Sequence, residues 1–385
     1  MCGSMSRRPG DLKTVFMRNL RKGNASGSFE DVCAVRAAQI GLLEGRQLEG
    51  AEVLGEGGFG TVWGVRHAVL PGEYALKTLR QGAGERGRIS AMVEMAVLAR
   101  LSLVPHPNVI SAVAIDDSQT RTMPILLPKA KGDFHTVLTS CRWPISELLR
   151  VVVQVAAGAE HMHKNGISHG DIKPQNILMI GGKDGSLVPQ LADFGTAREL
   201  GESRPKMMGT VGYMPLECLL EAVPASANQD AWALGVMALI ICAAPDKVQT
   251  NMFNHEDLYT DRERACRRFL QTRGSPSEIA DKLRSFECTV TMRTLEDESY
   301  LKMLEPQNLH ADLGCRDTVS DCLPYFLAKL PENRCKVEVF QEVVGNIARE
   351  VAEYEAGLEA CSDQSSELLE NEHESEDGDV SRAYL

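Results

Sequence analysis

Two short stretches decide the fold: residues 169–176 read His-Gly-Asp-Ile-Lys-Pro-Gln-Asn, and residues 191–195 read Leu-Ala-Asp-Phe-Gly. Asn176 and Asp193 carry hard oxygen ligands of the kind that Mg²⁺ prefers. Asp171 can orient an attacking hydroxyl, and Lys173 can meet a phosphoryl group during its transfer. Because phosphoryl transfer depends mainly on positioning and on charge neutralisation, these four side chains together predict that chemistry.

A glycine-rich stretch lies upstream, where residues 55–62 read Gly-Glu-Gly-Gly-Phe-Gly-Thr-Val. Glycines at this spacing let a hairpin fold over phosphates, so that backbone N–H groups approach the phosphate oxygens. The same spacing is found in flexible turns and in dinucleotide-binding loops. A dinucleotide loop needs a helix directly after its last glycine. Residues 61–65 (Thr-Val-Trp-Gly-Val) read as a strand instead, which disfavours that alternative.

Lys77 follows this stretch, at the end of the sequence Tyr-Ala-Leu-Lys. Its ammonium could grip the α- and β-phosphates of a nucleotide as a compact point charge. Alternatively, it is a solvated lysine at a strand end. A phosphate-binding lysine here needs a fixed carboxylate partner, and Glu94 is the best candidate because it lies in the middle of a predicted helix. Glu85 is closer in sequence but lies in the glycine-rich stretch before that helix.

Strand patterns precede helix patterns along the chain. The predicted elements are strands between residues 48 and 79, a helix over 89–103, strands over 109–114 and 123–127, a helix capped by Ser146 that ends near Asn165, and mostly helix beyond Ala231. This order predicts an α+β protein in which a small sheet-rich part precedes a larger helical part.

Taken together, these motifs resemble those of the eukaryotic protein kinase superfamily, in the same order and over roughly residues 48–349. The resemblance implies the bilobal protein-kinase fold over residues 48–355. It implies a small antiparallel β-sheet lobe with one key helix (48–127), a hinge (128–132) and a larger, mainly helical lobe (133–355). Within the large lobe, residues 169–176 correspond to the catalytic loop and residues 193–217 to the activation segment.

The resemblance also implies ATP and Mg²⁺ (or Mn²⁺) as cofactors. The residues that it assigns to nucleotide binding are Gly55, Glu56, Gly57, Gly58, Phe59, Gly60, Val62, Ala75, Lys77, Leu127, Lys129, Ala130 and Leu178. The catalytic group that it implies consists of Asp171, Lys173, Lys77, Glu94 and Thr210, and the implied metal ligands are Asn176 and Asp193. Leu127 corresponds to the gatekeeper, and Glu217 is expected to form a buried ion pair with Arg334.

The implied substrates are serine and threonine hydroxyls of proteins. In the family, a lysine two residues after the catalytic aspartate marks serine/threonine kinases, and Lys173 stands there. Thr210 agrees, since the hydroxyl at that position usually bridges the catalytic aspartate and lysine. The alternative is a pseudokinase, which would act as a nucleotide-binding scaffold or an allosteric partner. Lys77, Asp171, Asn176 and Asp193 are all present, so this alternative has no missing residue to explain it.

Gly170 departs from the family pattern, because most regulated kinases have an arginine there that pairs with a phosphate on the activation segment. Its absence predicts activity without that phosphate. We interpret the nearby Arg198, Arg204 and Lys206 as solvated charges. His-Gly-Asp also occurs in phosphotransferases related to choline and aminoglycoside kinases, but these lack the Lys-Pro pair. It further gives a weak resemblance to rhoptry-type kinases of apicomplexan parasites.

The bulk composition limits the remaining function classes. A net charge of −12 disfavours nucleic-acid binding, which needs clustered Lys and Arg. Eleven cysteines without a CxxC pair, and no visible signal peptide or membrane span, predict a soluble protein of the cytoplasm or nucleus, with secretion by a parasite left open. Residues 1–47 form a basic extension, for which membrane contact beside Cys2 is the disfavoured alternative. Residues 361–385 are acidic and are predicted to be disordered.

Overall fold

The computed structural model describes Leu43 and residues 48–57, 60–116, 121–140, 143–182, 184–205, 208–210, 213–215, 217–218, 222–242, 316–328 and 331–376. The basic N-terminal extension, apart from Leu43, lies outside these residues. So do Gly58 and Phe59 of the glycine-rich stretch.

The first part of the chain forms a five-stranded antiparallel sheet with one helix packed against it. In the order β1-β2-β3-β5-β4, its strands are β1 (Leu48–Glu56), β2 (Gly60–His67), β3 (Glu73–Leu79), β5 (Ile125–Pro128) and β4 (Ala114–Ile115). Neighbouring strand residues point to opposite faces. Leu126 therefore joins Val65 and Ala114 on one side, whereas Leu127 joins the main core with Met95 of the helix.

That helix, α1 (Gly84–Leu101), begins five residues before the predicted start. We expected the glycines of this stretch to keep it irregular. The helix nevertheless starts after Ala83, and Glu85 lies in its first turn, where a carboxylate interacts favourably with the helix dipole. The inner face of α1 buries Glu94, Met95, Leu98 and Leu101.

The second part of the chain is mainly helical. Its helices are α2 (Phe134–Ser140), α3 (Ile145–Lys164), α4 (Ala227–Cys242), α5 (Arg316–Cys322) and α6 (Val337–Glu376). Short strands complete it: β6 (Gly132–Asp133), β8 (Ile177–Gly181) and β9 (Leu187–Leu191) form one sheet, β7 (Ile167–Ser168) pairs with β10 (Arg198–Glu199), and β11 (Ser203–Arg204) pairs with β12 (Val223–Pro224). The predicted α+β arrangement is confirmed.

The predicted capping role of Ser146 is wrong. Helix α3 begins at Ile145, so Ser146 is its second residue and its hydroxyl points elsewhere. The Ser146 Oγ donates to Glu355 Oε2 (2.5 Å), and Glu355 Oε1 accepts from the Ile145 N–H (2.9 Å). A carboxylate from α6 thus accepts from N–H groups at the start of α3 that have no partner within the helix.

The prediction of a disordered tail from residue 361 also differs from the structure. Helix α6 continues to Glu376, because this segment is rich in Glu, which has high helix propensity and extends a helix already nucleated on the core. Residues 377–385 lie outside the described part. Among the described helices, none combines the length and the apolar character needed to cross a bilayer.

A buried ion pair ties the end of the activation segment to the segment before α6. Arg334 Nη1 and Nη2 donate to Glu217 Oε1 and Oε2 at 2.6 and 2.8 Å. The Arg334 side chain is fully buried, and its guanidinium lies 4.8 Å from the centre of the Trp232 ring. Such a two-bond fork fixes both partners in position.

We expect Arg334→Ala to lower the free energy of unfolding by about 3–5 kcal/mol, because it strands the Glu217 carboxylate in a mostly buried position. Urea denaturation of Arg334→Ala, Glu217→Ala and the double variant measures this effect. The double variant should cost far less than the sum of the single variants. As a matched control, Arg150→Ala removes the exposed Glu147–Arg150 pair and should cost only about 0–1 kcal/mol. Additive losses would contradict the pairing.

Candidate active site

Three charged side chains meet where β3, α1 and the start of the activation segment converge. Lys77 Nζ on β3 lies 2.6 Å from Glu94 Oε1 on α1 and 3.1 Å from Asp193 Oδ1. Asp193 has a left-handed backbone (φ 63°), a conformation that costs energy for a residue other than glycine and that turns its side chain towards the lysine. The structure thus brings Lys77 together with Glu94, the favoured partner, rather than with Glu85.

The electrostatics of this cluster favour the charged forms of Lys77 and Asp193. Burial alone would lower the pKa of Lys77, but the carboxylates of Glu94 and Asp193 outweigh burial and raise it. Burial raises the pKa of Glu94, and Lys77 opposes that shift. For Asp193, the attraction of Lys77 exceeds the effect of burial and holds its pKa below the usual range. Asp193 is also half exposed, so that its carboxylate is available to a cation.

The catalytic loop forms a second cluster around Asp171. Lys173 Nζ lies 2.9 Å from Asp171 Oδ2 and 2.6 Å from Thr210 Oγ1. The Thr210 N–H donates to Asp171 Oδ1 at 2.7 Å. Asn176 Nδ2 donates to the Asp171 main-chain oxygen (2.8 Å) and to Oδ2 (3.1 Å). Because the amide nitrogen of Asn176 faces Asp171, its Oδ1 remains as an oxygen ligand.

Asp230, in the first turn of α4, anchors the start of the catalytic loop through hydrogen bonds. Its Oδ2 lies 2.8 Å from His163 Nε2 and accepts from the Ser168 hydroxyl and the His169 N–H, and its Oδ1 accepts from the Gly170 N–H. Burial opposes ionisation, but these bonds lower the pKa of Asp230 to about 2. Sequence reasoning assigned Asp230 no functional role. A carboxylate directly before an apolar helix is one signal that could have marked it.

Most of the proposed nucleotide-binding residues lie on the five-stranded sheet, and others lie on the link after β5 and on β8. The register pairs Ala75 with Leu127, so both side chains share one face of the sheet. Gly57 N–H donates to Gly60 O (2.8 Å) and closes the turn between β1 and β2. A Cβ at Gly60 would lie 2.8 Å from the Thr78 oxygen, so this position requires glycine.

The remaining proposed nucleotide-binding residues that the structure describes lie on β1, β2, β8 and the link after β5. Gly55 and Glu56 end β1, Val62 pairs with Lys77, and Leu178 lies half-buried on β8. Lys129 and Ala130 lie in the link between β5 and β6, where Lys129 Nζ reaches Glu52 Oε1 on β1 (3.0 Å).

The interpretation of Arg204 as a solvated charge is wrong. Its side chain lies on β11 and is only 2% exposed, and its Nη2 donates to the main-chain oxygens of Gly170 and Met208. The missing side chain at Gly170 explains this burial, because a Cβ there would overlap the guanidinium. Arg198 is partly buried and donates to the Ala197 oxygen (2.6 Å), and Lys206 lies outside the described residues.

The chemistry of the two metal ligands that the resemblance implies can be compared with what Mg²⁺ prefers. Asp193 and Asn176 offer one ionised carboxylate and one amide oxygen, which fits Mg²⁺ but is too few to hold it alone. Mg²⁺ usually completes its shell with water and nucleotide phosphates. No cluster of three or more His, Cys, Asp or Glu side chains suited to a metal occurs in the described ranges.

A lysine held by a helix glutamate, together with an aspartate–lysine pair on the catalytic loop that a threonine of the activation segment contacts, is the arrangement that the resemblance to protein kinases implies. Comparison with known families agrees. The protein kinase domain family matches residues 48–338, so the chain belongs to the protein kinase family.

Individual relatives give the same result. The chain is 30% identical over 213 residues to a serine/threonine-protein kinase of Drosophila yakuba, which covers 53% of this chain and 28% of that protein. It is 28% identical over 219 residues to the serine/threonine-protein kinase DCLK3 of Homo sapiens, which covers 54% of this chain and 33% of the human protein. The similarity thus spans about a third or less of each relative's length.

Asp230→Asn is expected to lower stability in a pH-dependent way. The pKa of Asp230 is about 2 in the folded chain, against about 3.9 for an unfolded aspartate, which corresponds to roughly 2–3 kcal/mol. Because the folded pKa is depressed, this contribution is fully present above about pH 4 and is lost as the pH falls towards 2.

Urea denaturation between pH 7 and the lowest pH at which both proteins stay folded measures the difference. The difference in the free energy of unfolding between the parent and Asp230→Asn should be constant near neutral pH and should become smaller below about pH 4. Asp321→Asn changes an exposed carboxylate and is the matched control. A gap that stays the same at every pH would show that Asp230 does not act through its charge.

Proposed function

We propose that this protein is an active, ATP-dependent serine/threonine protein kinase. The observation that carries the proposal is that both halves of the site are assembled at the same time. Lys77 contacts Glu94 and Asp193, while Lys173 contacts Asp171 and Thr210. The absence of one of these contacts would have favoured the pseudokinase alternative, and all of them are present.

In the proposed reaction, the side chains bind, orient and move a proton. Lys77 binds the α- and β-phosphates, and Glu94 holds it in place. The acceptor hydroxyl lies against Asp171, and its oxygen forms a bond to the γ-phosphorus. The bond from that phosphorus to the bridging oxygen breaks, and the electron pair leaves on the ADP phosphate. The hydroxyl proton passes to the Asp171 carboxylate, and Lys173 stabilises the negative charge on the transferring group.

The divalent cation would be held by Asp193 and Asn176. When bound, it neutralises phosphate charge and orients the triphosphate. The depressed pKa of Asp193 supports this role, because the carboxylate is ionised over the physiological range. Since the protein supplies only two ligands, binding of Mg²⁺ or Mn²⁺ is expected to be weak without nucleotide.

The acceptor class rests on Lys173 and Thr210. The lysine two residues after Asp171 is the pattern of serine/threonine kinases, and its contact with the Thr210 hydroxyl (2.6 Å) supports that assignment. The relatives named serine/threonine-protein kinases support protein substrates. Eleven cysteines without a paired spacing support a reducing compartment, the cytoplasm or nucleus, as the place of activity.

The test is phosphate transfer from labelled ATP to a degenerate peptide library in the presence of Mg²⁺. Lys77→Met should abolish detectable transfer, because it removes the phosphate-gripping charge and keeps similar bulk. Lys164→Met removes an exposed lysine of α3 and serves as the matched control. Transfer by Lys77→Met at the parent rate would contradict the assignment. Nucleotide binding without any transfer by the parent protein would favour the pseudokinase alternative instead.

Asp193→Asn should lose most of the activity at saturating ATP, because a neutral amide is a poorer ligand for a hard dication. The parent enzyme should be inactive in excess chelator and should recover when Mg²⁺ or Mn²⁺ is added. Titration of the metal for both proteins measures the effect. Transfer that persists in the chelator would contradict a metal-dependent mechanism.

We expect unphosphorylated protein from a bacterial host to be active already. Phosphatase treatment should change its rate by less than about threefold. Position 170 is a glycine, so there is no arginine there that could pair with a phosphate and thereby order the activation segment. Ser203→Ala should be harmless, since Ser203 is exposed. Thr210→Ala should reduce the rate through the lost hydroxyl contact. A loss of activity on phosphatase treatment that autophosphorylation at Ser203 restores would contradict this prediction.

A further inference from the structure

Gly170 and Arg204 share one space beside the catalytic aspartate. Gly170 has a left-handed backbone (φ 76°), and a Cβ on it would overlap Arg204 Nη1 and would lie 2.7 Å from Cζ and 2.9 Å from Nη2. Such separations are shorter than real Cβ atoms tolerate. The guanidinium therefore occupies the volume that a side chain at position 170 would fill. A side chain at position 170 would therefore force the Arg204 guanidinium out of this volume.

Arg204 connects the catalytic loop to the activation segment from this position. Its Nη2 donates to the Gly170 oxygen on the loop and to the Met208 oxygen on the segment. Gly209 follows directly, with φ 116°, and its own Cβ would lie 2.8 Å from the Gly170 oxygen. The next residue is Thr210, whose N–H and hydroxyl contact Asp171 and Lys173. Only Gly209 thus separates Met208, whose oxygen Arg204 contacts, from Thr210.

The location of Arg204 is costly for stability. A buried arginine normally pairs with a carboxylate, yet Arg204 forms no ion pair with any described residue. Its Nε and Nη1 are also buried without a hydrogen-bond partner in the described part of the chain. Buried polar groups without partners are uncommon and tend to occur where function requires them.

We propose that Arg204 is a positioning residue that acts through Met208 and Thr210. It holds Thr210 against Asp171 and Lys173 without any phosphate on the activation segment. The glycine at position 170 is the condition for this role, because it leaves the volume for the guanidinium. This inference rests on the proposed kinase activity and adds the device that orders the segment.

A double-variant cycle at positions 170 and 204 tests the proposal. The variants are Gly170→Ala, Arg204→Ala, the two combined, and Arg204→Lys. The matched control is Arg198→Ala on β10, the strand that precedes β11 in sequence. All proteins are made in a bacterial host and treated with phosphatase, so that no phosphate contributes. For each one, kcat, the KM for ATP and the melting temperature are measured, and activity is assayed well below every melting temperature.

We expect Arg204→Ala to lower kcat at least about tenfold while the KM for ATP changes less than about twofold, because Lys77, Glu94 and Asp193 do not contact Arg204. Gly170→Ala should lower kcat in the parent, since its Cβ displaces the guanidinium. In the Arg204→Ala background the same change should have little further effect on kcat, apart from the strain of a left-handed alanine. Arg204→Lys should recover part of the rate, and Arg198→Ala should resemble the parent.

The outcomes separate this proposal from the kinase assignment. A parent with Lys77-dependent transfer whose kcat survives Arg204→Ala would overturn the positioning role and leave the kinase activity intact. An equal loss of kcat from Gly170→Ala in both backgrounds would do the same. A parent without Lys77-dependent transfer would contradict the kinase assignment itself, and the positioning role with it. A lower melting temperature with unchanged kcat would assign Arg204 a purely structural role.

Discussion

The buried carboxylate of Asp230 is the constraint on which the rest of the site depends. It accepts hydrogen bonds from two consecutive main-chain N–H groups, those of His169 and Gly170, and it also binds the side chains of Ser168 and His163. These bonds fix the backbone directly before Asp171. Because Asp230 is in the first turn of a largely buried and apolar helix, the catalytic loop is attached to the core of the large lobe. A positioned carboxylate is what phosphoryl transfer requires from a protein.

Helix α1 performs the matching task for the nucleotide side of the site. Glu94 holds Lys77, and one turn earlier Ser90 packs so closely on Gly195 that a Cβ there would overlap its hydroxyl oxygen. At the end of the helix, Arg100 donates to the Asn165 oxygen and lies 3.3 Å from Glu199 Oε1. A single helix therefore contacts the lysine, the residue after Asp193-Phe194 and the strand that follows. Movement of α1 would disturb all of these contacts together, which makes assembly of this side cooperative.

The sequence was sufficient for those parts of the molecule that depend on local pattern or on residue chemistry. The α+β order followed from strand and helix periodicity, and the choice of Glu94 over Glu85 followed from its place in the middle of a helix. Some contacts between distant elements, such as the Glu217–Arg334 pair, followed from the family resemblance, whereas others could not be predicted. Glu355 caps α3 from a position 209 residues further along the chain than Ser146, and nothing near Ser146 in the sequence indicates that contact. Asp230 was overlooked for the same reason, since its partners lie about 60 residues away.

Arg204 shows a different limit of sequence reasoning, because the decisive feature is an absent atom. A charged residue in a loop is usually solvated, and the expectation of a solvated Arg204 followed from that rule. The rule fails because Gly170 leaves a volume beside the catalytic loop, and an arginine can fill it only if no Cβ is present. The residue at position 170 and the residue at position 204 therefore cannot be interpreted separately. With Arg100 contacting the beginning of the activation segment and Arg204 contacting its middle, two arginines hold this segment through protein acceptors alone. A phosphate would add little order to a segment held in this way, because its ordering contacts are already made.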